Sequence, residues 1–489
     1  KCPGELDYDE SDSKENYALI HYLVNPAIND KGSLVLRKIV PEMIGGIYLG
    51  GEKGDNNNHG ASPEAPVASF KKAKELSEET GKPIYIVGAV KVEGTETWTF
   101  AENQESEDGS SEAQGNTKTE KAKEKPNLQR HKDYLGELVR VGSKGNLTLQ
   151  NIIIDGKGVN PMIPAVGSGV DATAPIIVNE GMLNIQYGTI LQNNKNVYTN
   201  IARNSGGTQF EGGGVWNSGK LNMTGGKIVG NRAVSGAGVF TQGEFKFSGN
   251  AVISENTGVI LDKYGKEIVH KDDREKTSPS TGAGVFIAYS SGKMEMSGGT
   301  ISGNSAAAGG GISIGNRNDW YNGGTLTMTG GSIESNEALG SDDFSGGGGI
   351  YVQMDGTATI HKGSIIDNKS YKGAYGGGGI YVNGGKSKEH KNGVLNLTKV
   401  KISDNTAEGA GGGIAACGTS NVEIRLTDGG IIHGNKGKNV NYDIYYTPGT
   451  PEGGGKVEKS DYMLGKGLYE WKRVKGEPLN YLCEYSAAK

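Results

Sequence analysis

Cysteine, long apolar runs and an excess of one charge are scarce in this chain, and each shortage excludes a class of protein. Three cysteines in 489 residues, Cys2, Cys417 and Cys483, do not build a disulfide scaffold and lack the spacing of a metal site. No apolar run approaches the roughly 18–20 residues of a membrane span. The net charge of −5 lacks the strong bias of nucleic-acid-binding or membrane-surface proteins. We therefore expect no nucleic-acid partner and no insertion into a membrane.

Sequence motifs for catalysis and for cofactors are also scarce. Gly384-Gly385-Lys386-Ser387 has the ending of a phosphate-binding loop, but Ile380 stands where that motif needs glycine, so the segment is interpreted as a turn. No HExxH occurs, and the seven histidines show no metal-ligand spacing. The candidate catalytic acids are Asp155, Asp319, Asp342 and Asp343. They lack the paired arrangement of a glycosidase or a lyase, so we expect no catalytic residue, metal or cofactor.

Glycine is what the chain has in excess. Its 82 residues are about 17 % of the sequence, against roughly 7 % in average usage. The glycines do not fall at every third position, which excludes collagen. With hydrophobic residues at only 34 %, the sequence predicts several thin cores rather than one thick core.

Two short patterns recur between about residues 190 and 436. The first is an isoleucine with an asparagine three positions later: Ile190/Asn193, Ile228/Asn231, Ile253/Asn256, Ile301/Asn304, Ile333/Asn336, Ile365/Asn368, Ile402/Asn405 and Ile432/Asn435. The second is a glycine-rich triplet followed by an aliphatic residue: Val215, Val239, Val285, Ile312, Ile350, Ile380 and Ile414. Successive asparagines lie 25 to 48 residues apart, with alternating strands between the two patterns.

These repeats predict a solenoid. Each repeat offers three runs of three to five residues with strand alternation, too short for helices and separated by turn residues. One repeat cannot bury its own aliphatics, whereas stacked repeats can, at about 4.8 Å per layer. We predict an all-β, right-handed parallel β-helix of about 10 coils with three short strands per coil. The asparagines are expected at corners with positive φ, where their amides form a ladder, and the glycine triplets at another corner.

The sequence outside the repeats predicts the ends and insertions of the solenoid. Residues 62–80 have helical apolar spacing and predict an amphipathic capping helix, with Ser62 as its N-cap and Gly81 as its stop. The predicted divisions are 1–46, of unclear role; 47–100, capping helix and first coil; 101–133, a charged flexible insertion; 134–446, the β-helix; and 447–489, a C-terminal cap or extension. Because the chain starts at Lys1 without methionine, we expect a segment of a larger protein.

Over about residues 140–445 the sequence resembles the right-handed parallel β-helix proteins of the pectate-lyase-like superfamily. Its glycine triplets and Ile-x-x-Asn pattern are similar to the GGA[ILV] and FxxN repeats of bacterial surface adhesins, with Ile in place of Phe. Residues 58–63 and the helix after them are similar to the N-terminal cap of solenoids in Gram-positive wall-anchored proteins. The resemblance implies a bacterial cell-surface location, while the superfamily includes lyases, hydrolases, adhesins and phage tailspikes.

The residue after each aliphatic of the glycine pattern is aromatic in five repeats of seven: Trp216, Phe240, Phe286, Tyr351 and Tyr381. Strand alternation directs this column outward, opposite to the aliphatics on either side of it. A solvent-facing column of rings predicts a binding platform, which Trp320 and Tyr321 of a nearby loop could extend. That platform requires Trp216, Tyr351 and Tyr381 to be more than about a third exposed. The alternative is that the column packs beneath loops.

These patterns favour a non-catalytic, adhesin-like binding module of an extracellular bacterial surface protein. A host glycoprotein such as a mucin, an immunoglobulin or a polysaccharide is the expected partner, held on the side of a monomeric solenoid. A polysaccharide lyase or glycoside hydrolase is the first alternative and requires carboxylates that converge within about 6–10 Å. A passive stalk is the second alternative and predicts a uniformly polar side.

Overall fold

The computed structural model describes residues 22–23, 37–38, 45–100, 128–157, 174–196, 211–261, 267–268, 280–315, 323–340, 345–371, 376–384, 391–409, 411–417, 420–426, 430–437, 443–446, 456–459, 462–464, 467–473 and 480–487. The chain is mostly β-structure in long parallel sheets, a parallel β-solenoid-like architecture. Its described residues belong to two compact units. Unit 1 draws on Lys1–Val90 and Gln114–Tyr134, and unit 2 on Lys91–Ala113 and Leu135–Lys489. No helix in the described ranges is both long and apolar enough to cross a membrane.

The described part of unit 1 combines short strands with one α-helix. Three of its strands pair in parallel: Ile47–Leu49, Ile84–Ile86 and Leu128–Arg130. Tyr22–Leu23 pairs antiparallel with Arg37–Lys38, and a 3-10 turn covers Gly51–Lys53. The first segment of unit 1 ends at Val90, the first residue of the strand Val90–Val92.

Helix α1, Phe70–Thr80, begins later than the sequence pattern predicts. Its N-cap is Ser69 and not Ser62, and the Ser69 hydroxyl accepts a hydrogen bond from the Lys72 backbone N–H at 3.3 Å. The start is delayed because the chain shortly before Ser69 is still paired in an isolated β-bridge. Gly81 ends the helix in the left-handed conformation with φ 67°, as the sequence predicts.

The strands of unit 2 each pair with the equivalent strand of the next repeat. Sheet A contains Val139–Val141, Ile177–Asn179, Val215–Asn217, Val239–Thr241, Val285–Ile287, Ile312–Ile314, Ile350–Val352, Ile380–Val382, Ile414–Ala416 and Ile444–Tyr446 in parallel. Three antiparallel strands continue it: Asn480–Ala487, Gly467–Arg473 and Tyr462–Leu464. In most parallel strands of sheet A every residue is buried, so both faces are covered.

Sheet B has two columns of strands, which merge in the middle repeats. The first column contains Thr95–Thr99, Asn146–Gln150, Met182–Ile185, Lys220–Met223, Glu244–Phe247, Asn421–Ile424 and Lys456–Lys459. The second contains Ile153–Asp155, Ile190–Gln192, Lys227–Val229, Val252–Ser254 and Ile431–His433. Strands that span both are Lys293–Ser302, Thr325–Glu334, Thr357–Ile366 and Val394–Ser403. Alternate residues of the first column are buried, as a solenoid wall requires.

Sheet C adds a fourth, two-residue strand to the three that the sequence predicts per repeat. It contains Lys195–Asn196, Arg232–Ala233, Thr257–Gly258, Ser305–Ala306, Glu337–Ala338, Lys369–Ser370 and Thr406–Ala407. These strands follow the asparagine corner and are too short to show alternation in the sequence. An antiparallel pair, Ile260–Leu261 with Glu267–Ile268, lies outside the three sheets.

A ladder of buried asparagines joins the repeats, as the sequence predicts. Its members are Asn194, Asn231, Asn256, Asn304, Asn336, Asn368, Asn405 and Asn435. At Asn304, the backbone N–H and Nδ2–H both donate to Oδ1 of Asn336, at 3.0 and 2.9 Å. Nδ2 also donates to the carbonyl of Ile253 in the preceding repeat at 3.0 Å. Each asparagine from Asn231 to Asn435 makes the same set of bonds and therefore connects three successive repeats.

Two details of the ladder differ from the sequence prediction. The first member is Asn194 and not Asn193, because Leu191 pairs with Ile228 and shifts the pattern by one residue. Positive φ belongs to the residue before each ladder asparagine, with values of 54–75°, and not to the asparagine itself. The preceding residue makes the turn, which leaves the asparagine side chain free to point inward and bond along the stack.

The glycine triplets lie where neighbouring repeats approach most closely. A Cβ on Gly348 would stand 2.2 Å from the carbonyl oxygen of Lys369 and 2.7 Å from that of Gly378. The preceding Gly347 has a φ of 66°. Both the space and the backbone conformation exclude a side chain at this corner, as the sequence predicts.

Candidate functional site

The aromatic residues singled out in the sequence form one column on sheet A. Trp216 pairs with Phe240, Phe240 with Phe286, and Tyr351 with Tyr381, each in the neighbouring parallel strand. The rings of Trp216 and Phe240 are stacked, with centroids 6.2 Å apart and planes 7° from parallel. Those of Tyr351 and Tyr381 are 5.5 Å apart and 14° from parallel.

The predicted exposure of this column is wrong. Phe240 and Phe286 are 0 % exposed, and Tyr351 and Tyr381 are each 1 % exposed. Trp216 is half-buried, so of the five rings it alone keeps part of its surface accessible and no continuous exposed row of rings is formed. The column therefore forms a second buried layer outside sheet A, and these four rings offer no face to a ligand.

The chain just before two of the glycine triplets packs against the tyrosine rings. Ala308 packs in one cluster with Tyr351 and Tyr381, and a Cβ on Gly346 would stand 3.3 Å from Cγ of Tyr381. Isolated parallel bridges hold the covering segments in register along Glu211, Ser235, Thr281 and Ala308. The other two predicted site residues, Trp320 and Tyr321, lie outside the described residues.

Two aromatic side chains at one end of the column are only partly covered. Trp216 and Tyr289 are half-buried and pack against the cluster of Phe240, Phe286 and Ala288. Tyr289 follows the strand Val285–Ile287 and has a φ of 59°, so the chain turns sharply there. Within the described residues, this end gives the column its accessible aromatic surface.

A carboxylate lies at the same end. Glu211 is 7 % exposed and holds the register position that Ala308 holds further along the column. Burial raises the pKa of the Tyr289 phenol, and the nearby charge of Glu211 raises it further. Nε1 of Trp216 is buried and has no hydrogen-bond partner in the described part of the chain. Trp216, Tyr289 and Glu211 together are named the Trp216 site.

Replacing Glu211 by glutamine should lower the pKa of Tyr289 towards the ordinary value of 10.0, because the amide carries no charge. The shift is measured by ultraviolet titration of the phenols, with the variant Tyr289→Phe identifying the signal by its loss. The raised pKa of Tyr289 also makes the stability of the folded chain depend on pH. The unfolded chain loses this proton near pH 10.0 while the folded chain retains it, so the contribution of Tyr289 to stability decreases above that pH. If Tyr289 titrates identically in the Glu211→Gln variant, the charge of Glu211 does not act on this phenol.

The candidate catalytic acids do not assemble into a site in the described residues. Asp319, Asp342 and Asp343 lie outside them. Asp155 is buried and accepts hydrogen bonds from Gln192 Nε2 at 2.9 Å and from the Lys157 backbone N–H at 2.7 Å. Oδ2 therefore ties Asp155 to the neighbouring strand, and Oδ1 closes a local turn. No group of three or more His, Cys, Asp or Glu in the described ranges is placed to hold a metal ion.

No protein family, curated protein or solved structure matches this chain. The site is therefore described from the geometry of this chain alone. Of its three residues, the sequence pattern predicted only Trp216, and it missed Glu211 and Tyr289. Glu211 stands directly before a glycine triplet, where Ser235, Thr281 and Ala308 stand in the next repeats. Comparing the residues before the triplets, and not only those after them, shows the one carboxylate among small side chains. Tyr289 has no equivalent signal, because it follows a strand in a turn.

Proposed function

We propose that this chain is a non-catalytic glycan-binding module of an extracellular bacterial surface protein. In this proposal the sheets form a right-handed parallel β-helix of about ten coils, of the kind found in the pectate-lyase-like superfamily, and α1 caps its first strands. The repeats hold side chains at fixed spacing, which suits a protein that must present a rigid binding surface.

The observation that carries the proposal is the half-buried pair of Trp216 and Tyr289 beside the carboxylate of Glu211. Sugar-binding sites combine aromatic faces, which take the C–H face of a pyranose ring, with a few polar groups that bind its hydroxyls. Glu211 is the carboxylate beside these rings that can accept hydroxyl protons, whereas Nε1 of Trp216 is buried beyond the reach of a ligand. The stack of Trp216 on Phe240 holds the indole in one orientation before the ligand arrives.

The test is binding of the full chain to an array of bacterial, plant and mucin-type oligosaccharides. Trp216→Ala is expected to weaken binding to the recognised glycan at least tenfold, because truncating an aromatic anchor removes most of its contact area. Glu211→Gln should weaken it less, since the amide still offers one oxygen.

Tyr187 provides a matched control. It is 53 % exposed and lies in a corner of unit 2 outside the aromatic column, so Tyr187→Ala should bind normally. Circular dichroism checks that each variant keeps its β-structure. Unchanged binding in a Trp216→Ala/Tyr289→Ala double variant that remains folded would exclude the site.

A further inference from the structure

Unit 1 carries an outward row of side chains that shares no residue with the Trp216 site. Tyr48, Tyr85 and Gln129 occupy equivalent positions in three adjacent parallel strands. Each is half-buried, while both of its neighbours in the strand are buried. Strand alternation therefore places all three on the outer face of the sheet.

Tyr48 and Tyr85 form a surface of two adjoining rings. Their centroids are 5.6 Å apart, and their planes differ by 31°. His131 stands edge-on to both, at 5.7 Å from Tyr48 and 6.2 Å from Tyr85. Its Nδ1 lies 3.4 Å from the Asp133 backbone nitrogen and 3.7 Å from Oδ2 of the same residue. The edge of the row thus offers an imidazole beside two phenol hydroxyls.

Close packing against the backbone fixes the ring of Tyr85. A Cβ on Gly46 would stand 2.2 Å from Cε2 of Tyr85 and 2.4 Å from Cδ2. The ring therefore lies directly against the chain at Gly46, an approach that only glycine allows. A ring held in this way loses little conformational freedom when a ligand binds.

The charge beside the row indicates which ligands fit it. Burial raises the pKa of Tyr48, and the neighbouring Tyr85 and the carboxylate of Glu64 raise it further. A negative charge within reach of this ring opposes an anionic ligand such as a uronic or sialic acid. The hydroxyls of an uncharged sugar can instead donate to that carboxylate.

We infer that Tyr48, Tyr85 and Gln129, with His131 at the edge, bind a pyranose ring of an uncharged oligosaccharide. The C–H face of the sugar packs on the tyrosine rings, and the Gln129 amide, the phenols and the imidazole bind its hydroxyls. This site lies in unit 1 and depends on none of the residues of the Trp216 site, so an experiment can reject either proposed site without rejecting the other.

The test is calorimetric titration of the full chain with two uncharged hexasaccharides, cellohexaose and chitohexaose, and with hexagalacturonic acid as their anionic counterpart. We expect at least one uncharged hexasaccharide to bind, and to bind at least tenfold more tightly than the anionic one. Tyr85→Ala and Tyr48→Ala should each weaken that binding tenfold or more, because each removes half of the aromatic surface.

Two variants distinguish loss of this site from misfolding and from sugar binding at the Trp216 site. Tyr85→Phe retains the ring and loses one hydroxyl contact, so it should weaken binding clearly less than Tyr85→Ala does, whereas Trp216→Ala should leave the affinity of this site unchanged. Failure of both uncharged hexasaccharides to bind, full binding by a folded Tyr85→Ala chain, or preference for the anionic hexasaccharide overturns the inference. Loss of binding in Trp216→Ala alone would assign the sugar to the other site and overturn it equally.

Discussion

Replacing Asn304 by aspartate is expected to lower the free energy of unfolding by about 4 kcal/mol at neutral pH. Asn304 is 0 % exposed, and its Nδ2 donates to Oδ1 of Asn336 and to the carbonyl of Ile253. Aspartate has the same shape, but it sets an oxygen against both acceptors and buries a charge. The loss therefore measures hydrogen bonding and charge without a change in side-chain volume.

Urea denaturation measures this loss, and hydrogen exchange of the Asn256 and Asn336 backbone amides shows whether it is local to neighbouring repeats. Asn222→Asp is the control, because Asn222 is half-buried on the outer face and its amide makes one bond, to Asn184 Oδ1 at 2.9 Å. It should cost less than about 1 kcal/mol. Equal losses in the two variants would show that the ladder adds nothing beyond an ordinary surface amide.

Replacing Gly348 by alanine is expected to cost about 3 kcal/mol or more. The new Cβ would meet the carbonyl oxygens of Lys369 and Gly378 at 2.2 and 2.7 Å. Backbone atoms of two adjoining repeats cannot move apart without stretching the hydrogen bonds that stack them, so no side-chain rotation relieves the clash. Thermal unfolding followed by circular dichroism measures the effect.

Gly303→Asn separates crowding from backbone strain. Gly303 has a φ of 64°, but the nearest atom to its Cβ position is Glu255 Cγ at 3.7 Å. Glu255 and Ser335 hold the equivalent positions of adjacent repeats with φ of 57° and 55°. We expect a cost of about 1 kcal/mol, because asparagine tolerates this conformation. If Gly303→Asn destabilises as much as Gly348→Ala, close approach is not what requires the triplets.

The repeats predicted much of the solenoid because its corners are chemically specific. Ile-x-x-Asn at Ile301/Asn304 and at its equivalents predicts the position of the ladder. The same pattern failed at Ile190/Asn193, where Leu191 and Asn194 have the same spacing one residue later. Sequence spacing alone cannot choose between two overlapping matches, whereas strand pairing with Ile228 does.

The covering of the aromatic column could not be predicted from alternation. Alternation determines which face of a strand Tyr351 occupies, but not whether another segment lies on that face. Ala308 covers it because the chain returns across sheet A before each triplet, a path set by tertiary packing and not by local pattern. Predicting whether an outward-facing side chain is buried therefore requires the three-dimensional path of the preceding repeat.

The row in unit 1 was overlooked for a different reason. Ile84–Ile86 shows clear alternation and predicts a strand, but its partners Ile47–Leu49 and Leu128–Arg130 lie 37 and 44 residues away in register and belong to no repeat. Without a repeat, nothing in the sequence aligns Tyr48 with Tyr85. Only the pairing of the strands brings the two rings together.

The asparagine ladder also has an electrical direction. Each amide from Asn231 to Asn435 donates to a side-chain oxygen only at higher residue number, with its second bond going to a backbone carbonyl of the preceding repeat, so the Oδ1-to-Nδ2 dipoles align head to tail. Aligned dipoles polarise one another and leave partial positive charge at the donating end. That end meets Asp443, whose Oδ1 accepts from the Asn435 backbone N–H at 3.0 Å and from its Nδ2 at 2.7 Å. A buried carboxylate thus lies where the aligned dipoles of the whole stack favour a negative charge. The ladder ends at Asp443 because a carboxylate has no N–H to donate to a further side-chain oxygen.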